Sequence, residues 1–136
     1  MKKLVFIFLF VFTVAFYMSA QSSSASSGTA NKNTAIRCLK LAENCLVGGD
    51  WQNALSQAEL GLSYDDSISD LYYIKAASDL HLGGTRADAL RLISKAFEKD
   101  CWAGYTKNGA RIFIADLLSD TGLPEESLSI LDAEPF

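Results

Sequence analysis

Few side chains in this chain of 136 residues are of a type that does chemistry, and their spacing restricts what that chemistry could be. His81 is the only histidine, and nothing near it in sequence supplies a second metal ligand at useful spacing. It reads as a surface histidine rather than a catalytic or metal-binding one. The three cysteines are Cys38, Cys45 and Cys101. Cys38 and Cys45 lie seven residues apart on one predicted helix, roughly 10.5 Å along its axis at a rise of about 1.5 Å per residue. A disulfide wants Cα atoms within about 7 Å, so these two cannot bridge. Cys101 meets either of them only if the fold brings distant segments together, and an odd count in an oxidising compartment invites an intermolecular bond. Cys45 is expected as a buried, apolar-acting side chain. Among the carboxylates, Asp65-Asp66 suits a solvated loop and Glu125-Glu126 a helix start, and a glycosidase-like acid pair can be imagined from Glu43 and Asp116. Nothing in the sequence raises either pKa. With no CxxC pair, metal-ligand cluster, nucleophile elbow or phosphate loop, no enzymatic activity, metal or cofactor is expected.

The elements that would position these residues repeat. Val47-Gly48-Gly49-Asp50-Trp51-Gln52-Asn53-Ala54-Leu55 returns 35 residues later as Leu82-Gly83-Gly84-Thr85-Arg86-Ala87-Asp88-Ala89-Leu90. A period of that length means stacked helical hairpins, each unable to bury its apolar face alone. Helical periodicity starts at Thr34, read as an N-cap. It continues through Ile36, Leu39, Leu41, Ala42, Cys45 and Leu46, and Gly48-Gly49 stops the helix. Asp50 caps a second helix with the stripe Trp51, Ala54, Leu55, Ala58 and Leu62. The next unit has Leu71, Ile74, Ala77 and Leu80, then Gly83-Gly84, then Ala89, Leu90, Ile93, Ala96 and Phe97. After a longer connection containing Gly104, a third unit carries Ile112, Phe113, Ala115, Leu117 and Leu118, and turns at Gly122. Pro124 with Glu125 and Glu126 suits the first turn of a sixth helix bearing Leu128 and Leu131. The glycine pairs are helix stops, not nucleotide cradles.

Ahead of the repeats, Met1-Lys2-Lys3 precedes a run from Leu4 to Met18 broken only by Thr13, followed by Ser19-Ala20-Gln21. That order is a secretory signal peptide over 1–20, with cleavage expected after Ala20. The run is short of the roughly 20 residues a spanning helix needs, so uncleaved anchoring is the lesser alternative. The first cysteine is Cys38, which argues against a lipid-modified N-terminus. Residues 21–33, QSSSASSGTANKN, lack any large apolar side chain and are expected to be a flexible linker. Without the leader the chain carries 10 basic and 16 acidic residues, a formal charge of −6, against −4 for the whole. Such a surface does not attract nucleic acid or an anionic membrane.

On these residues, 34–136 resembles the tetratricopeptide repeat family, with units at about 35–69, 70–107 and 108–136. In the first, Leu41, Ala42, Cys45, Gly49-Asp50-Trp51 and Ala54 fall on the family's positions, while Gly61 replaces an alanine and Asp66 the closing proline. In the second, Tyr73, Ala77, Leu80, Gly84, Ala89 and Ala96 match best. In the third, Ile114, Ala115, Leu118, Gly122 and Ser127 are in register, but Arg111 departs from the aromatic and Glu134 from the second alanine. The third unit also starts 38 rather than 35 residues after its predecessor.

The resemblance implies an all-α fold, a right-handed α-α superhelix of about three hairpins, with a concave groove lined by the first helix of each. The family's groove positions transfer to Ile36, Leu39, Glu43 and Leu46, then Leu71, Ile74, Ser78 and His81, then Ile112, Asp116 and Ser119. Members that grip a partner's C-terminal carboxylate use Lys and Asn where Leu39 and Glu43 stand here, so that activity is not expected. The implied function is a protein-interaction or assembly module of the bacterial cell envelope, in the periplasm, binding a partner segment in the groove. The alternative is a truncated or structural segment of a larger solenoid with no groove ligand of its own. The latter gains weight because the sequence stops at Phe136 with no polar capping helix, and self-association through the C-terminal helix would cover that end.

Overall fold

A computed structural model describes residues 27–104 and 106–132. All regular structure among them is helical: α1 covers 27–47, α2 Trp51–Tyr64, α3 Ser69–His81, α4 Arg86–Lys99, α5 Thr106–Asp120 and α6 Pro124–Asp132. The protein is all-α. By packing, the chain divides into Met1–Asn33 and Thr34–Phe136, and the second unit holds the core. The leader expected over 1–20, and residues 21–26 of the expected linker, lie outside the described residues.

Residues 27–33, expected to be linker, are helical. Once a helix exists, each further residue adds a hydrogen bond without a new nucleation cost, so a polar stretch free of proline can extend it. Thr34 is therefore inside α1 rather than its N-cap. Asp50 does cap α2, accepting from the Asn53 N–H at 3.2 Å and from Asn53 Nδ2 at 2.7 Å. Thr85 caps α4 reciprocally with Asp88: its Oγ1 accepts from the Asp88 N–H at 3.1 Å and donates to Asp88 Oδ2 at 2.8 Å. Pro124 opens α6 as its position predicts, followed by Glu125 and Glu126 in the first turn.

The three turns between paired helices share one design. Gly49, Gly83 and Gly122 have φ of 74°, 99° and 83°. In each, the residue after the glycine donates its N–H back across the turn: Asp50 to the Cys45 carbonyl at 2.9 Å, Gly84 to Asp79 at 2.9 Å, and Leu123 to Leu118 at 3.0 Å. This is the Schellman closure of a helix, which favours glycine because a Cβ is strained in the left-handed region. The first unit therefore uses the second glycine of its pair and the second unit the first.

Two apolar clusters repeat along the chain. One joins Ala35, Leu39 and Ala42 of α1, Ala54 and Ala58 of α2, and Ile68, Leu71 and Ile74 at the start of α3. The other joins Tyr72 and Ala76 of α3, Ala89, Leu92, Ile93 and Ala96 of α4, and Ala110, Ile114 and Leu117 of α5. Each is built from a pair of helices closed by the first helix of the next pair. α3 belongs to both, which is why eight of its thirteen residues are buried. The alanines let helices approach closely, and Gly61 takes this furthest: a Cβ there would stand 2.8 and 3.0 Å from the methyl carbons of Leu71 and 3.2 Å from Cys38 Cβ. Cys38 is accordingly buried, whereas Cys45, expected to be the buried one, is half-buried. Leu41 was expected in the apolar face of α1 and is 53% exposed, because the stripe through Ala35, Leu39 and Ala42 supplies the contact.

Candidate functional site

The most organised polar site lies where the connection after α4 folds back onto the start of α3. Asp70, in the first turn of α3, is wholly buried. Its carboxylate accepts from the Ala103 N–H at 2.6 Å, the Gly104 N–H at 3.1 Å and the Thr106 hydroxyl. Beside it the Ser69 N–H donates to the Cys101 carbonyl at 2.9 Å, and the Cys101 N–H donates to Ser69 Oγ at 2.9 Å. A buried carboxylate is tolerated only when its acceptors are filled, and here backbone donors of the loop and the positive end of α3 do so. The loop leaves α4 through Asp100, a non-glycine residue at φ 44°, whose Oδ1 accepts from Trp102 Nε1 at 3.0 Å.

Glu43 of α1 reaches the same place. A Cβ on Gly104 would collide with Glu43 Oε1 and stand 3.1 Å from Asp70 Oδ1, so glycine is what lets both carboxylates close on the loop. Burial and the Asp70 charge push the Glu43 carboxyl above its ordinary value, while Lys40 pulls it down. Thus the acid facing Glu43 is Asp70; Asp116, the partner conceived from sequence, is exposed on α5 and is not among the charges that shift Glu43. With its acceptors committed in this way, Asp70 ties α3 to the α4–α5 connection and to the start of α5. The sequence carried no signal for this: Ile68-Ser69-Asp70 reads as an ordinary acidic helix start, and only the loop folded over it buries it.

The expected groove residues separate into two sets. Leu39, Leu71, Ile74 and Ser78 are buried, the first three inside the α1–α2–α3 cluster, so they serve packing rather than an open surface. The physical reason is that small residues on α1 and α2, Ala42, Ala54 and Ala58, let these helices and α3 pack closely in one cluster. Ile36, Glu43 and Leu46 are half-buried, and His81, Ile112, Asp116 and Ser119 are exposed. Ile112 is 59% exposed. His81 lies flat on Trp51, ring centroids 3.8 Å apart and planes 8° apart, joining the end of α3 to the start of α2. Among the described residues no group of His, Cys, Asp and Glu could hold a metal ion.

A pocket of about 650 Å³ opens elsewhere, between α4, α5 and α6, with Phe97, Ile114 and Ile130 beside Lys107, Arg111 and Asp100. Arg111, where the repeat pattern wants an aromatic, is buried and donates from Nε and Nη2 to the Ile130 carbonyl at 3.3 and 2.9 Å. It ties α6 to α5, as does Ser127, whose hydroxyl donates to the Ala115 carbonyl at 2.7 Å. None of the expected groove residues lines this pocket.

No family model matches the chain. A protein of Treponema pallidum (strain Nichols), described as an uncharacterized protein, is 37% identical to it over 92 residues. Those residues are 67% of this chain, which spans only 12% of that relative's length. Among the described residues, no helix is long and apolar enough to cross a membrane.

Proposed function

We propose that the chain is a non-enzymatic protein-interaction module of the bacterial cell envelope, a right-handed stack of three tetratricopeptide-like hairpins that receives a partner segment along its first helices. The observation that carries this reading is the recurrence of one turn, Gly49, Gly83 and Gly122 with the same backward hydrogen bond, together with two clusters of equivalent make-up. The order of packing supports it. α3 packs extensively on α2 and α4, α5 on α6 and to a lesser degree on α3 and α4, while α2 has no comparable packing with α4, α5 or α6. An open stack behaves this way; a closed bundle brings its ends together. Export and the periplasm rest on the leader sequence.

The partner surface under this reading is reduced to the accessible residues Ile36, Glu43, Leu46, His81, Ile112, Asp116 and Ser119. Burial of Leu39, Leu71, Ile74 and Ser78 favours the second reading, a segment of a larger solenoid, and so does a relative of which the chain spans 12%. A photo-crosslinking residue placed at Leu46, His81 or Ile112, and separately at the outer positions Gln52, Ser56 or Arg91, tests the first reading in the native envelope. Adducts with a distinct protein from the first three positions support a partner groove. Adducts from the outer positions alone contradict it.

A further inference from the structure

The pocket between α4, α5 and α6 stands at a place that the preceding helices fill with an aromatic ring. Gly83 and Gly122 end α3 and α5 in the same turn, 39 residues apart, and that step sets Arg111 of α5 at the position of Tyr72 on α3. Burial follows the same step: Leu71 and Ala76 are buried, and so are their counterparts Ala110 and Ala115. Where α2, α3 and α4 meet, Tyr72 packs in one cluster with Ala89, Leu92 and Ile93 of α4, and Leu62 of α2 lies against it. Where α4, α5 and α6 meet, Arg111 is buried in its turn, but its guanidinium donates to the Ile130 carbonyl of α6 at 2.9 Å. The cavity of about 650 Å³ opens beside it.

The lining restricts what can occupy that cavity. Phe97, Ile114 and Ile130 supply apolar walls from α4, α5 and α6 in turn. The volume lies within the roughly 300–1,000 Å³ of pockets that take small molecules. The charges are sorted by depth: Arg111 is only 7% exposed, whereas the acids Glu98 and Asp100 are exposed. Asp100 is also engaged, since its Oδ1 accepts from Trp102 Nε1 at 3.0 Å and pairs with Lys107 Nζ at 3.3 Å. Lys107 is half-buried and stands four residues before Arg111, so both cations lie on one face of α5. Apolar walls with the cations set deeper than the acids suit an apolar molecule that ends in an anion.

We propose that this pocket binds a small carboxylic acid, its apolar body against Phe97, Ile114 and Ile130 and its carboxylate toward Lys107 and Arg111. The site shares no residue with the partner surface described above and does not depend on it. A ligand seated among three helices binds the folded chain and not the unfolded one, so it raises the melting temperature.

Calorimetric titration of the full chain with decanoate, decanol and decylamine tests it, and Trp102 fluorescence locates the site. Trp102 packs on Phe97 at 5.5 Å between ring centroids, and a Trp51→Phe variant leaves it as the only tryptophan. Decanoate should bind saturably, shift the Trp102 emission and raise the melting temperature. Decanol should bind about tenfold more weakly, because it lacks the charge, and decylamine more weakly still. Lys107→Met should weaken decanoate roughly fivefold and leave decanol unchanged. Ser94→Trp, on an exposed part of the lining, should block the pocket and abolish binding of both. Neither variant alters the contact of Arg111 with Ile130, and circular dichroism should match that of the unaltered chain. Acetyl-Leu-Phe with a free carboxylate, titrated in parallel, separates the end of a peptide from a free acid, the tighter binder naming the source. No saturable binding of either acid, equal affinity for decanoate and decanol, or decanoate binding indifferent to Ser94→Trp overturns the proposal.

Discussion

At the scale of single residues, the chain places polar groups in its core on two opposite terms. Asp70 has its acceptors filled by Ala103, Gly104 and Thr106, whereas Ser78 Oγ is buried with no hydrogen-bond partner among the described residues. An unmatched buried hydroxyl costs about 1–3 kcal/mol, while removing it from an apolar site can be neutral or favourable. Ser78→Ala should accordingly leave stability unchanged or raise it by up to about 1 kcal/mol in urea unfolding; a loss would mean the hydroxyl has a partner. Glu43 supplies a pH dependence. Its carboxyl is raised above the ordinary value of 4.5, so the folded protein holds this proton more tightly than the unfolded chain. Its contribution to stability is complete below the unfolded value and is lost as pH rises through the folded one. Against Glu43→Gln, which stays neutral, the wild-type melting temperature should fall behind as pH rises from about 4 to 8. Parallel curves would contradict the burial of Glu43 beside the Asp70 charge. None of this was legible beforehand: the sequence marked Glu43 as a groove residue, but its neighbour comes from a loop some sixty residues on.

At the scale of elements, the sequence was legible wherever a local rule decides the geometry. Asp50 as a cap, Pro124 as a helix start and glycines as helix stops all follow from orphan backbone groups at helix ends, and these are where the structure has them. It was less legible where spacing had to be read through a glycine pair. The repeat of 35 residues aligns Gly48 with Gly83, but the left-handed residues are Gly49 and Gly83, so the first helices step by 34. That single residue shifts the positions on α3 equivalent to Ile36, Leu39 and Glu43 from Leu71, Ile74 and Ser78 to Asp70, Tyr73 and Ala77. Helix-to-helix approach is also invisible to periodicity. Gly61 sits in mid-helix, where alanine would add about 1 kcal/mol of helix propensity. Here the added methyl would press on Leu71, itself wholly buried, and overpacking of this kind costs about 1–3 kcal/mol. Since Leu71 has nowhere to move, overpacking should win and Gly61→Ala should lower the denaturant midpoint; a raised midpoint would mean that α2 can slide away from α1 and α3.

At the scale of the whole molecule, α3 belongs to both apolar clusters, and the connection after α4 is pinned to its first turn, so the three hairpins depend on one central helix. Stacking in register is the claim on which the interaction surface depends. Gln52, Ala87 and Glu125 are exposed and hold the second position of α2, α4 and α6. Spin labels introduced there as non-natural residues leave the three free cysteines untouched. Pulsed electron–electron distance measurement on the full chain should find the 52–87 and 87–125 separations similar and the 52–125 separation clearly the longest. A 52–125 separation equal to or shorter than the other two would contradict the stack and would make the molecule a closed bundle.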